Sequence, residues 1–239
     1  MPNNPRCPAS RSAAAERVPI PARLAHSPVS AGLVVPYITL AHRDRTRPIW
    51  GRIDAQRLGE VLDNKRCQVC GEPLDATLVL MIRPSDYVRG VAVEPGLHPE
   101  CALYSRRACV MLAGHVDRYN PSGGSPLNRC GDPLCRCRFW ASVEDNDATP
   151  SREGKPAEAW YEAWIKLEDY RIFTVPADES GPAATGIALR RVPLLRLRKV
   201  RDPAPDGANT EWMDMLAKIV AARRLWNTLV VDEHPDINS

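Results

Sequence analysis

Cys67-Gln68-Val69-Cys70-Gly71 and, further along, His98-Pro99-Glu100-Cys101 are the stretches whose reading decides the fold. Each pair has metal-ligand spacing. Together they offer three thiolates and an imidazole, a closed shell suited to structural Zn²⁺. Gly71 follows the knuckle where the chain must turn sharply round the sulfurs, and glycine takes positive φ at little steric cost. Thiolates near the start of a helix also gain from its backbone N–H groups.

The segment between the pairs fits a zinc finger. Thr77–Arg83 and Tyr87–Glu94 are apolar and β-branched, and Pro84-Ser85-Asp86 has turn chemistry, so the spacing predicts a β-hairpin. From Cys101 onward Tyr104, Ala108, Leu112, His115 and Tyr119 recur three and four apart, which predicts a helix. A knuckle, a hairpin and a helix carrying the last ligands describe a treble-clef-like zinc unit. Buried free thiols or a redox dithiol are the alternatives. Neither gives a role to His98-x-x-Cys101.

Cys130-Gly-Asp-Pro-Leu-Cys135-Arg-Cys137 places three more thiols around a turn. These could hold a second metal, with Cys109 and His115 as candidates for the fourth donor. Cys109 lies eight residues beyond Cys101, about 80° round an ideal helix, and so points away from the first site. An iron–sulfur cluster would use such thiolates too, but the chain shows no redox-partner site.

Composition narrows the setting. The chain has 239 residues, 44% of them hydrophobic, and no apolar run approaches the roughly 18 residues of a membrane span. Residues 1–30 lack the apolar core of a secretory signal, so a cytoplasmic location is expected, with thiols ligating metal rather than forming disulfides. The net charge of +3 makes no case for nucleic acid, but its distribution is uneven. Residues 1–66 carry 11 basic and 5 acidic side chains, 141–183 carry 4 and 10, and 184–207 carry 6 and 2. Arg43, Arg45, Arg47, Arg196 and Arg198 are the candidate nucleic-acid contacts if the basic blocks share a face. Solvated faces balanced by the acidic stretch are the plainer reading.

The expected architecture is α+β. Residues 1–33 are expected as a disordered tail, and 34–140 as a zinc-binding domain that opens on an edge strand at Val34–Ala41 and a helix capped by Asp54. An acidic loop at 141–157 precedes a β-rich region and C-terminal helix at 158–231, then a tail at 232–239. Tyr161, Ala163, Ile165 and Leu167 alternate as in a strand, Tyr170–Val175 continues in β-favouring residues, and Leu194–Val200 alternates again. In the last helix Trp212, Met215, Leu216, Ile219, Val220, Trp226 and Leu229 form one broad apolar stripe, capped by Asn209 or Thr210.

Cys67-Gln-Val-Cys70-Gly71, Glu94-Pro-Gly-Leu-His98-Pro-Glu-Cys101-Ala102 and Tyr104-Ser-Arg-Arg-Ala-Cys109 together resemble a loose group of uncharacterised zinc-knuckle proteins of actinobacteria and their phages. The cluster ending at Trp140 and Trp160-Tyr161-x-x-Trp164 extend the likeness over about 35–200. Val110 stands where that group often has proline. The resemblance implies a cytoplasmic zinc-binding protein and brings no activity with it.

Two functions follow from these residues. The first is a non-catalytic zinc-binding module that recognises a protein or a nucleic acid, with no membrane and no small-molecule substrate involved. The alternative is a metal-dependent nuclease on a treble clef. That enzyme needs a histidine and an acidic residue at the hairpin and a further ligand on the helix. The segment offers Asp86 without a histidine, and His98 is committed to zinc, so no catalytic residue is assigned.

Overall fold

The computed structural model describes residues 18–119, 127–140, 154–177, 182–207 and 210–233, with side chains in the last helix described as far as residue 225. The chain is α+β, with four helices and four small antiparallel sheets among these residues. Residues 18–33, expected within a disordered tail, hold a 3₁₀ turn at Ala22–Leu24 and a ribbon of β1 (Val29–Ser30) and β2 (Leu33–Val34). Leu24 is fully buried. Residues 1–17, most of the expected acidic loop (141–153), Asn209 and 234–239 lie outside the described residues.

The single edge strand expected at Val34–Ala41 is broken at Pro36 into β2 and β3 (Thr39–Ala41). Strand β3 pairs with β4 (Pro48–Ile53). Asp54 then caps α1 (Ala55–Asp63), its carboxylate accepting from the Gln56 and Arg57 N–H groups, as a short acceptor just before the first turn should.

The segment expected as a hairpin takes another form. Strand β5 (Thr77–Ile82) is followed by α2 (Pro84–Arg89) and the two-residue β6 (Val91–Ala92). Pro84 occupies the first helical turn, where its missing N–H costs nothing. The Asp86 carboxylate accepts from the Arg83 backbone N–H at 2.9 Å, and Gly90 ends the helix at φ 80°. Turn chemistry here starts a helix. The strand partner of β5 is instead β7 (Trp160–Lys166), in register from Thr77↔Lys166 to Ile82↔Tyr161.

Helix α3 (Pro99–Ala108) is shorter than its periodicity suggested, with Cys109 extended at its end. The turns that follow are held from outside: the buried Arg201 guanidinium donates to the Met111 and Val116 carbonyls, each at 2.8 Å. Strands β8 (Ile172–Val175) and β9 (Ala184–Ala188) join β6 in the order β6-β9-β8. Strand β10 (Arg196–Arg201) completes the sheet β10-β7-β5. The core lies around this sheet, where Leu78, Leu80, Ile82, Tyr161, Ala163 and Ile165 have no exposure.

Helix α4 (Glu211–Glu233) packs mainly on β10. Met213 is buried and Leu216 and Val220 pack against the core, but Trp212, Met215 and Ile219 are 42%, 65% and 58% exposed. One strand covers only a narrow strip of a helix, so the expected stripe divides into an inner and an outer half. The side chains of Trp226 and Leu229 lie outside the described residues. No described helix is long and apolar enough to cross a membrane.

Candidate metal centres

The first centre gathers Cys67, Cys70, His98 and Cys101, whose donor atoms all lie within 4.8 Å of one another. Two local devices bring the pairs together. In the knuckle, the Gly71 N–H donates to the Cys67 carbonyl at 2.9 Å and the Cys67 N–H to Glu72 at 2.8 Å, with Gly71 at φ 78°. A Cβ at Gly71 would also stand 2.5 Å from the Tyr37 ring, so that position has no room for a side chain.

The second device is a clip. Val79 of β5 and Leu97 exchange two backbone hydrogen bonds of 2.9 Å, which places His98 and the start of α3 beside the knuckle. Gln68 tightens the clip: its N–H donates to the Gly96 carbonyl at 3.1 Å and its amide nitrogen to the Pro95 carbonyl at 2.8 Å. The sheet core thus positions the ligands directly.

His98 is oriented for ligation through Nδ1. Its Nε2 sits 2.9 Å from the Pro73 carbonyl, which can only accept, so Nε2 carries the proton. The Nδ1 lone pair then faces the sulfurs, 3.3 Å from Cys70 Sγ. Cys67, His98 and Cys101 are fully buried and Cys70 is partly exposed.

Burial resists ionisation of Cys67. Hydrogen bonds from the Cys101 and Cys70 thiols and from the Cys70 and His98 backbone N–H groups outweigh it and push the Cys67 thiol down to about 3. Cys101, which shares its proton with Cys67 and Cys70, is pushed up. Metal binding requires deprotonated thiols, and the hydrogen bonds gathered on Cys67 favour its thiolate form.

The second centre joins Cys130, Cys135 and Cys137 to His42, again with all four donor atoms within 4.8 Å. Among the described residues the side chain that completes this group is His42, not Cys109 or His115. Cys109 is exposed just past the end of α3 and His115 is exposed in the turns beyond it, and neither belongs to the group. His42 opens the loop between β3 and β4, where its N–H donates to the Arg47 carbonyl at 3.1 Å. Its Nδ1 lies 3.6 Å from Cys135 Sγ, and the Trp140 ring packs on it at 5.0 Å between centroids.

The cysteine loop turns on Asp132, whose side chain accepts from the Leu134 N–H at 2.9 Å and whose carbonyl accepts from the Cys135 N–H at 3.0 Å. Arg43 reaches the same carboxylate at 3.7 Å and so ties the histidine loop to the cysteine loop. Cys130 and Cys137 sulfurs lie 3.5 Å apart, and the Cys130 N–H donates to Cys137 Sγ at 3.3 Å. The Cys137 N–H, the His42 ring and the Arg43 N–H outweigh burial and push the Cys135 thiol down to about 6. For Cys137 the Cys130 N–H favours the thiolate, but burial and protons shared with Cys130 and Cys135 push that thiol up.

These two groups can hold metal ions, and a Cys₃His set in four-coordinate spacing suits zinc. No protein-family model, curated protein or solved structure matches this chain.

The remaining candidates fall elsewhere. Arg47 pairs with Asp44 at 3.2 Å, and Arg45 donates to the Pro36 and Tyr37 carbonyls at 2.8 and 3.2 Å. Arg43 and Arg45 line a cleft of about 680 Å³ beside the second centre. Arg196 and Arg198 line a separate groove of about 640 Å³. Asp86, the acidic residue considered for a nuclease, is buried in a bidentate pair with Arg83 at 2.9 and 2.5 Å.

Proposed function

We infer that the chain is a non-catalytic module in which two structural zinc ions hold a surface for a protein partner. The observation that carries this reading is the make-up of the two centres. Each assembles four protein donors, three of them buried, which leaves a tetrahedral ion no position for substrate or water. In this reading the first centre is a treble-clef variant, with a knuckle and a ligand-bearing helix start but a strand, a short helix and a strand-like segment between them.

A nuclease is disfavoured by the state of its parts, since Asp86 is neutralised by Arg83 and His115 sits apart from either metal group. Nucleic-acid binding draws on one observation, the cleft beside the second centre, where Arg43, Arg45, Arg57 and Arg136 stand near the exposed Phe139. All four of those arginines are already engaged: Arg45 and Arg57 donate to the Tyr37 carbonyl, Arg43 pairs with Asp132 and Arg136 donates to the Gln56 side chain. A phosphate-binding stripe needs cations free to exchange counterions for phosphates.

Cobalt substitution tests the closed-shell reading. The Co²⁺ protein should show tetrahedral thiolate-rich absorption that added azide or imidazole leaves unchanged. A spectrum that shifts with either ligand would reveal an open coordination position and return catalysis to consideration.

A further inference from the structure

Strand β10 is an edge strand. Its inner side pairs with β7 from Arg196↔Trp164 to Arg201↔Trp160, and the Leu195 N–H donates to the Trp164 carbonyl at 2.8 Å. Among the described residues no strand pairs with its outer side. The groove of about 640 Å³ runs there, between the strand and α4. Residues 195–199 all line it in succession, and consecutive strand residues point to opposite faces. A groove touched by both faces follows the strand's edge.

Its charge has one sign. Arg196, Arg198 and Lys199 come from the strand, Lys218 and Arg224 from the helix, and no lining residue is acidic. Lys199 is partly neutralised by Asp214 at 2.6 Å and Asp202 at 3.1 Å, and Arg196 lies over the Trp164 ring at 5.7 Å. Arg198 is exposed. The walls between the cations are apolar: Leu195, Ala217, Ala221 and Leu225.

Resting on the protein-binding reading above, we propose that this groove takes an extended acidic segment of a partner protein, added to β10 as a further strand. The unpaired backbone groups of an edge strand are a template for such addition, and pockets for alternate side chains give selectivity. Acidic residues on one side of the segment face the arginines, and apolar residues on the other face the leucine and alanine walls. A second copy of this chain is a poor occupant, because two β10 edges would set arginine against arginine. Nucleic acid supplies the charge but neither a strand's regular donors and acceptors nor apolar side chains for the walls.

The test uses the zinc-loaded protein and a fluorescent peptide of alternating Glu and Val, about eight residues long, within the range of ordinary strands. Its affinity should fall roughly tenfold or more in an Arg196→Glu, Arg198→Glu variant, both sites being exposed, and a Lys–Val peptide should not bind. N-methylation of alternate peptide nitrogens should abolish binding only when it falls on those facing the strand. No binding of the Glu–Val peptide up to about 1 mM would overturn the proposal. Equal binding of both N-methylated peptides would overturn strand addition while leaving a protein-binding module intact. Binding of single-stranded oligothymidine, sensitive to the same variant and without peptide binding, would overturn both.

Discussion

The two metal centres share a donor set and differ in what holds it. At Cys67, Cys70, His98 and Cys101 the ligands hang from a knuckle, from a segment clipped to β5 and from the first turn of α3, so an ion held there would join elements of the main core. At His42, Cys130, Cys135 and Cys137 they hang from two loops tied by the part-exposed Arg43–Asp132 pair, by the His42–Cys135 contact and by the tilted Trp140 ring. Identical chemistry can therefore serve different ends. An ion in the first centre would complete a fold. One in the second would fasten a loop to its surface.

The largest effect should come from breaking the first centre. Structural zinc supplies about 10–16 kcal/mol of apparent binding energy in zinc fingers, and whole domains are stable by only about 5–15 kcal/mol. Cys101→Ser should abolish cooperative unfolding of the sheet β10-β7-β5, seen as loss of its slow amide exchange. Retention of a sharp thermal transition would show that the core stands without this ion.

Cys135→Ser should do much less. Loss of the second ion frees the 127–140 loop while the sheet keeps its protection, lowering Tm by about 2–4 °C per kcal/mol lost in a chain of this size. Limited proteolysis should then cut within 127–140 alone. Cleavage spreading into 77–108 would show that the two centres are coupled.

Gly71→Ala probes the knuckle without touching a ligand. It demands positive φ from a residue with a Cβ and pushes on the Tyr37 ring, itself anchored by its hydroxyl donating to Glu60 at 2.7 Å. The left-handed conformation alone costs about 1–2 kcal/mol, so urea unfolding should show at least that loss with zinc still bound. Smallest of all, Arg43→Ala removes a contact whose arginine is 59% exposed. It should cost no more than about 1 kcal/mol, visible as faster zinc loss from the second centre only.

The first centre was legible because its ligands come in two local pairs whose spacing is itself the signal. The second was half legible. Its three cysteines sit within one loop, but His42 precedes Cys135 by 93 residues and carries no spacing that marks it. The folding of β3 and β4 onto the cysteine loop selects it. Asp54 as a cap and β7 as a strand were local facts and were readable as such. The hairpin was not, since Pro84-Ser85-Asp86 begins a helix as readily as a turn, and β5 takes its partner from 160–166. The turns that replace the end of the expected helix are held by Arg201, which reaches Met111 from 90 residues further along.

The second centre, as proposed, is a zinc held by His42 together with Cys130, Cys135 and Cys137. Zinc retained after dialysis against a chelator should be about two equivalents in the wild-type chain, about one in His42→Ala, and about two in both Cys109→Ser and His115→Ala. Two equivalents surviving in His42→Ala, or one lost from His115→Ala, would contradict it.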